Sequence, residues 1–414
     1  MKLSTFKTDI TPTSEYFPCY LSGHAIRTEI ADGILDQIYA VSTVLDVDGV
    51  KTVWLTVELI GLDRSFTEDI RKKVAIKYNL DYNNIYVNYI HSHSCPEYSY
   101  ENAFGGESAK KGYPEYVKEQ ALKAIDTSMN ANFKEVEAYY RTVTVKGCYS
   151  NRNGLDKPCD KDVTVIIFKH EDKIIGGICN FTCHSTVLGP QNLKVSSDLA
   201  GYVARYCKDK WGIYPNVIIG AAGDMSNRLY RKGNDEKELL RVGNEMMSQV
   251  FKEDTYTKLN ISKPVVIPFS YKQTFIPNKE EKLKQYNETL DRINNAKNYD
   301  EKKVYTSALA VCKKGLEIDS YTLDLECYYV NMGDLRYFVI PAELFSRFGV
   351  EIKKAMNCKC PILWGYTNYS VGYLGNIDDY GASFETVTSN IPCGTTEKIV
   401  KLIVDLIKKE NGDK

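Results

Sequence analysis

Short apolar runs rich in β-branched and aromatic residues recur along the chain, separated by stretches with helical spacing. TVWLTVELI, NIYVNYI, DVTVIIF, IGGICNF and PNVIIG are such runs. Alternation of this kind demands a sheet that helices cover. Asp48-Gly49 separates two β-rich runs, 37–47 and 50–61, and predicts a hairpin. A second hairpin is expected over 322–340 around Gly333-Asp334, and strands 162–169 and 173–182 pair around Glu171-Asp172. Further strands are expected at 84–90, 134–146, 215–220 and 361–365. Helices are expected at 66–78, 115–128, 198–211, 234–252, 342–357 and after Thr395. The fold class is therefore α/β, with mixed β-sheets flanked by helices in a single large domain over 1–414. Residues 278–316 are rich in Lys, Glu and Asn without Gly or Pro bias, and read as a helical insertion over the surface.

Several of these runs stop at residues that carry chemistry. The run IYVNYI ends in His91-Ser92-His93, two of only five histidines in the chain. Alternate strand residues share a face, so this pair can point into one cleft, as a metal pair or as two polar loop residues. His184 closes a second apolar run, where a merely satisfied histidine competes with a catalytic one. His24 and His170 lack such a setting. The segment IIGAAGDMSNR, 218–228, runs from a buried strand into a small-residue turn carrying Asp224, Ser226 and Asn227. It has the look of a phosphate cradle, but no Walker lysine follows. Glu343 stands at a strand-to-helix junction after Pro341, where a helix-terminal acid is also stabilising.

Composition narrows the class. With 53 basic and 54 acidic residues the net charge is −1, which makes no electrostatic case for nucleic acid or an anionic membrane. No window approaches the roughly 20 apolar residues of a membrane span. Twelve cysteines are scattered without a CxxC pair, which suits a reduced, cytoplasmic protein. The N-terminus lacks an apolar signal core, in keeping with that expectation.

Taken in chain order, short pieces of this sequence resemble the catalytic N-terminal domain of the neutral/alkaline (non-lysosomal) ceramidase family. They are Asp9-Ile10-Thr11-Pro12, His91-Ser92-His93-Ser94-Cys95-Pro96, Ser150-Asn151-Arg152, His184 with Ser196-Ser197-Asp198, Gly223-Asp224-Met225-Ser226, Pro341-Ala342-Glu343, and Val371-Gly372-Tyr373 with Asp378-Asp379-Tyr380. The resemblance implies a zinc-dependent hydrolase of linear amides that cleaves an N-acyl bond. It further implies His91, His184, Glu343 and Tyr373 as zinc ligands, His93 as acid/base, and Arg152 and Ser226 holding substrate oxygens. Zinc takes imidazole and carboxylate donors and keeps an open position in catalytic sites, so the implied donor set is chemically coherent. The partner is then a small N-acyl or other amide substrate.

Departures from the family pattern shape the expectation. Cys95 and Glu97 stand where glycines are usual, GDMSNR replaces GDVSPN, and Phe384-Glu385 replaces a Tyr-Glu pair. No stretch corresponds to the C-terminal β-sandwich of secreted ceramidases. Glu97 is expected at the pocket mouth, favouring a shorter or more polar amide over ceramide. The rival readings are an esterase or deacetylase on a small polar substrate, and a non-catalytic binding protein that kept the fold.

Overall fold

The structure, a computed structural model, describes residues 1–100, 108–297 and 299–412. Three mixed sheets carry it. The first has the order Ile85–Tyr89, Val50–Val57, Tyr39–Val47, Lys2–Asp9, Lys134–Glu135. The second runs Asn216–Ile219, Lys173–Phe181, Asp162–His170, Glu137–Thr144, Thr257–Leu259. The third runs Ile261–Phe275, Tyr321–Gly333, Leu335–Val339, Cys360–Trp364. Each sheet contains one parallel pair, formed at Val50–Val57 with Ile85–Tyr89, Lys173–Phe181 with Asn216–Ile219, and Leu335–Val339 with Cys360–Trp364.

The three sheets meet at a shared aromatic core. Trp54 and Tyr86 of the first, Phe168 of the second, and Tyr337 and Trp364 of the third are all buried in it. The Tyr337 and Trp364 rings stack with centroids 4.9 Å apart. Apolar residues on the outer faces are covered by helices. Tyr113–Asn130 and Asp198–Trp211 pack on the first two sheets, and Ser346–Met356 and Thr395–Asn411 on the third. Ile399, Ile403 and Ile407 form the buried stripe of the last helix.

Buried amide side chains tie the sheets together near their strand ends. Asn180 donates to the carbonyls of Ile218 and Leu363 at 3.0 and 3.1 Å. Asn88 donates to Val217 O at 3.0 Å, and Asn368 accepts from Val87 N–H at 3.1 Å. Stranding one of these donors or acceptors would cost ~1–3 kcal/mol each, so the bonds hold the carboxyl ends of the parallel strands in one arrangement. Sites in α/β sheets lie beyond those ends.

Most of the predicted elements form, with boundaries shifted by a few residues. The insertion is two helices, Lys279–Asn294 and Tyr299–Glu317, with Asn278 capping the first through bonds from Glu280 and Glu281 N–H; residue 298 between them lies outside the described residues. Several strands were not anticipated, among them Lys2–Asp9, Thr257–Leu259 and the 15-residue Ile261–Phe275. The helix expected from 342 begins only at Ser346, because Glu343–Leu344 pairs instead with Tyr373–Leu374 in a short parallel ladder. Among the described residues no helix is long and apolar enough to cross a membrane.

Candidate active site

The candidate residues converge from loops that follow the parallel strands. His91 and His93 follow Ile85–Tyr89, His184 follows Lys173–Phe181, Ser226 follows Asn216–Ile219, Glu343 follows Leu335–Val339, and Tyr373 follows Cys360–Trp364. Arg152 adjoins the short strand Ser150–Asn151, which pairs with Met225–Ser226. Every sequence-predicted site residue therefore reaches one cleft.

Backbone strain and close contacts set the imidazoles. His91 has φ +55°, a left-handed conformation uncommon for a residue with a side chain, and its N–H is bound to Leu59 O at 3.0 Å. Its Nδ1 lies 2.7 Å from Ile60 O. Nδ1 of His184 lies 2.6 Å from Ala222 O, and Nδ1 of His93 lies 3.0 Å from Gly23 O. Gly23 has φ +97°, and a Cβ there would meet the His93 ring at 2.4 Å, so only glycine fits against this imidazole. Arg27, buried below the loop, donates to His93 O at 3.1 Å and to Ser22 O at 3.1 Å, pinning the same segment.

A carbonyl oxygen can only accept, so all three Nδ1 atoms carry a proton, and in the neutral imidazole form each Nε2 presents a lone pair. Those lone pairs face one another and an acid. His91 Nε2 lies 3.4 Å from His93 Nε2 and 3.3 Å from the Glu343 carboxylate, and His184 Nε2 lies 3.0 Å from the same carboxylate. The ligating atoms of the three histidines lie within 4.8 Å of one another. Acceptors gathered this closely repel unless a cation sits among them. The donor set, imidazole nitrogen plus carboxylate with each ring oriented by a backbone carbonyl, fits zinc.

Burial works against ionisation of Glu343, and positive charge placed at the Nε2 atoms of His91 and His184 acts the other way, holding it well below the usual carboxylate range. Burial, assisted by the Arg152 charge, pushes His184 down to about 4. His93 is likewise pushed well down by burial and by His91, His24 and His184. Tyr373 is raised by burial and by Glu343; its hydroxyl accepts from Arg152 at 3.2 Å, and its ring stacks at 19° on His184.

Arg152 is held rather than free. Its Nε is bonded to the Glu385 carboxylate, and an NH2 nitrogen donates to Gly223 O at 2.8 Å. Asp224 accepts from Ser346 N–H at 2.7 Å and from Asn151 Nδ2 at 2.7 Å, joining three of the loops.

The site opens on a cleft with two lobes. The larger, of about 390 Å³, has Ile60, Val311, Tyr321 and Val371 in its wall and reaches His91 and Glu343. The smaller, of about 110 Å³, is lined by Arg152, Ser226, Asn227, Arg228 and Arg231. Gly23, His93, Tyr373 and Phe384 border both lobes.

Two expectations need correction. Glu97 is not at the pocket mouth. It is 1% exposed and accepts from Ser22 Oγ at 2.9 Å and from the N–H groups of Tyr98 and Ser99, so it braces a loop from within. His24, set aside on sequence, is buried with its ring 5.3 Å from that of His93 and its Nε2 3.1 Å from Leu188 O. Tyr366 was missed too: its ring lies 4.8 Å from that of His91, φ is +55°, and its buried hydroxyl has no partner among the described residues. His24 ends no apolar run, and Tyr366, although it follows the expected strand 361–365, is an aromatic residue that such a position alone does not mark as functional. His170 stays remote, with Nδ1 2.7 Å from Glu135 O.

Comparison with known proteins follows the same line. Two solved structures match over 100% of this chain and 75% of their own, each with 16% identity and a TM-score of 0.73: neutral ceramidase from Pseudomonas aeruginosa, and a ceramidase complexed with C2. At that identity the likeness establishes the fold. No curated protein matches the sequence. The family model for the neutral/alkaline non-lysosomal ceramidase N-terminal region matches residues 3–214, a little over half of the chain. The chain belongs to the neutral/alkaline non-lysosomal ceramidase family.

Proposed function

We propose that this protein is a zinc-dependent hydrolase of linear N-acyl amides. The observation that carries the reading is the convergence of the His91 and His184 Nε2 atoms, each ring fixed by a backbone carbonyl, on the Glu343 carboxylate, with His93 Nε2 alongside, 3.4 Å from His91 Nε2. His91, His184, Glu343 and Tyr373 would hold the metal. When bound, zinc supplies Lewis acidity and makes water a competent nucleophile near neutral pH. His93 borders both lobes of the cleft; its Nε2 takes a proton from the attacking water and passes it to the departing nitrogen, which as an amine leaves poorly without one. Arg152 and Ser226 line the smaller lobe, where they hold substrate oxygens, and Glu385 keeps Arg152 in position. Family membership supports amide hydrolysis, and a cleft of about 390 Å³ that reaches His91 and Glu343 argues against a purely structural role. The twelve cysteines, all free thiols, support a reducing, cytoplasmic setting.

The test is metal analysis coupled to turnover. Protein purified without added metal should hold about one zinc per chain. Chelation should abolish hydrolysis of N-acyl amines, and zinc should restore it. A chelated, metal-free protein that still hydrolyses the amide at the original rate would overturn the reading.

A further inference from the structure

The two lobes of the cleft differ in chemistry as well as in size. The larger presents Ile60, Val311, Tyr321 and Val371. The smaller presents hydrogen-bond donors. Arg228 and Arg231 lie in its wall beside Ser226, whose Oγ accepts the Arg228 N–H at 3.2 Å and so keeps its own proton to give. Asn227 lies in the same wall, 1% exposed, and its side-chain nitrogen has no hydrogen-bond partner among the described residues. An unpartnered buried donor is costly unless a ligand supplies an acceptor. The guanidinium of Arg152 is already matched by the Glu385 carboxylate. Arg228 and Arg231 have interactions of their own within the protein, but a guanidinium has five N–H donors and can serve a ligand as well.

One helix measures the span between the lobes. Val304 of Tyr299–Glu317 borders the small lobe and Val311 the large one. Seven residues of helix separate the two by roughly 10 Å along one face. His93 and Tyr373, with Gly23 and Phe384, border both lobes and so mark their junction, within reach of the proposed proton donor. A volume of about 110 Å³ suits a few heavy atoms, whereas about 390 Å³ suits an acyl chain.

Building on the amidase reading, we propose that the substrate is an N-acyl amine whose amine part carries a carboxylate. The acyl chain occupies the large lobe and the carboxylate meets Arg228, Arg231, Asn227 and Ser226 in the small one. Hydrolysis adds water across the C–N bond, the hydroxyl going to the acyl carbon and the proton to nitrogen. A fatty acid and a free amino acid leave.

The experiment compares three matched amides on the zinc-loaded protein: N-lauroylglycine, N-lauroylethanolamine, and the mono-butylamide of dodecanedioic acid, which carries its carboxylate on the acyl side. A charge-assisted contact is strong enough that kcat/KM for N-lauroylglycine should exceed that for N-lauroylethanolamine by about 10- to 100-fold. The acyl-side carboxylate should bring no such gain. Arg228→Gln and Arg231→Gln, both on a partly exposed loop, should each shrink the glycine-to-ethanolamine ratio, chiefly through KM. A ratio at or below one in the parent protein, a ratio unchanged in both variants, or preference for the acyl-side carboxylate would overturn the proposal. If none of the amides is cleaved, the amidase reading fails by itself. Calorimetric binding then decides the subsite: tighter binding of N-lauroylglycine than of N-lauroylethanolamine, weakened in both variants, sustains it, and equal binding sinks it.

Discussion

His91 and His93 are two residues apart yet face different tasks. Each is anchored through Nδ1 to a different carbonyl, Ile60 O and Gly23 O, so the rings meet at 83° instead of lying parallel. His91 Nε2 is turned towards Glu343, while His93 borders both lobes of the cleft. His91→Ala should therefore lose bound zinc and activity together. His93→Ala should keep its zinc, lose about 10²–10⁴-fold in amide hydrolysis, and lose less on an activated ester whose leaving group needs no proton. Metal content and the two rates, measured on the same preparation, check this. An emptied metal site in His93→Ala would make it a ligand instead. The pair was legible in the sequence because it ends an apolar run. His24 and Tyr366 were not, because loop conformation at Gly23 and at the left-handed Tyr366 brings them in, and such conformations leave no periodic trace.

Short ladders, more than long strands, position the site. Glu343–Leu344 is only two residues, yet it pairs with Tyr373–Leu374 and its far side rests on Gly223. A Cβ on Gly223 would sit 2.4 Å from the Glu343 carbonyl oxygen, a backbone atom that cannot swing aside. Gly223→Ala should thus destabilise the fold by ~1–3 kcal/mol and weaken zinc binding by displacing Glu343. Gly176→Ala is the matched control. The three atoms nearest its Cβ all belong to the Leu3 side chain, the closest at 2.8 Å, so it should leave zinc affinity unchanged. Denaturant titration and a competitive chelator assay separate the two effects; equal zinc affinity in both variants would show that the Gly223 contact does not hold Glu343. At this scale the sequence was readable where periodicity was strong, as in the Asp48-Gly49 hairpin and the last helix. It was silent for Ile261–Phe275, whose two prolines, Pro264 and Pro268, argue against a strand until its place at the sheet edge is known. It also started the following helix at 342 rather than at Ser346, since the two-residue ladder at Glu343–Leu344 has no period to detect.

Across the whole molecule, the fold buries carboxyl groups that the proposed chemistry does not use, and they tie its stability to pH. Glu58 is the clearest. It is 1% exposed, one carboxylate oxygen accepts from Tyr214 OH at 2.7 Å, and the other accepts from Tyr39 N–H at 3.0 Å. Burial pushes its pKa up to about 7, against the opposing pull of the Tyr214 bond and of Arg205. Asp198 and Asp224 are also raised by burial, each to about 6. A raised carboxyl pKa means that the folded state holds the proton more tightly than the unfolded chain. Its contribution is complete below the ordinary glutamate range, shrinks as pH rises towards about 7, and is gone above that. Glu58→Gln keeps the shape and removes the charge, with the side-chain oxygen on Tyr39 N–H and the amide nitrogen donating to the Tyr214 hydroxyl. Relative to the parent, the variant should gain stability steadily from about pH 4.5 to 7 and plateau above, by up to ~3 kcal/mol. Comparing unfolding free energies of the two proteins at matched pH cancels the other titrating groups, including those at the metal site. A difference that stays flat across this window would mean that Glu58 is already ionised in the folded protein.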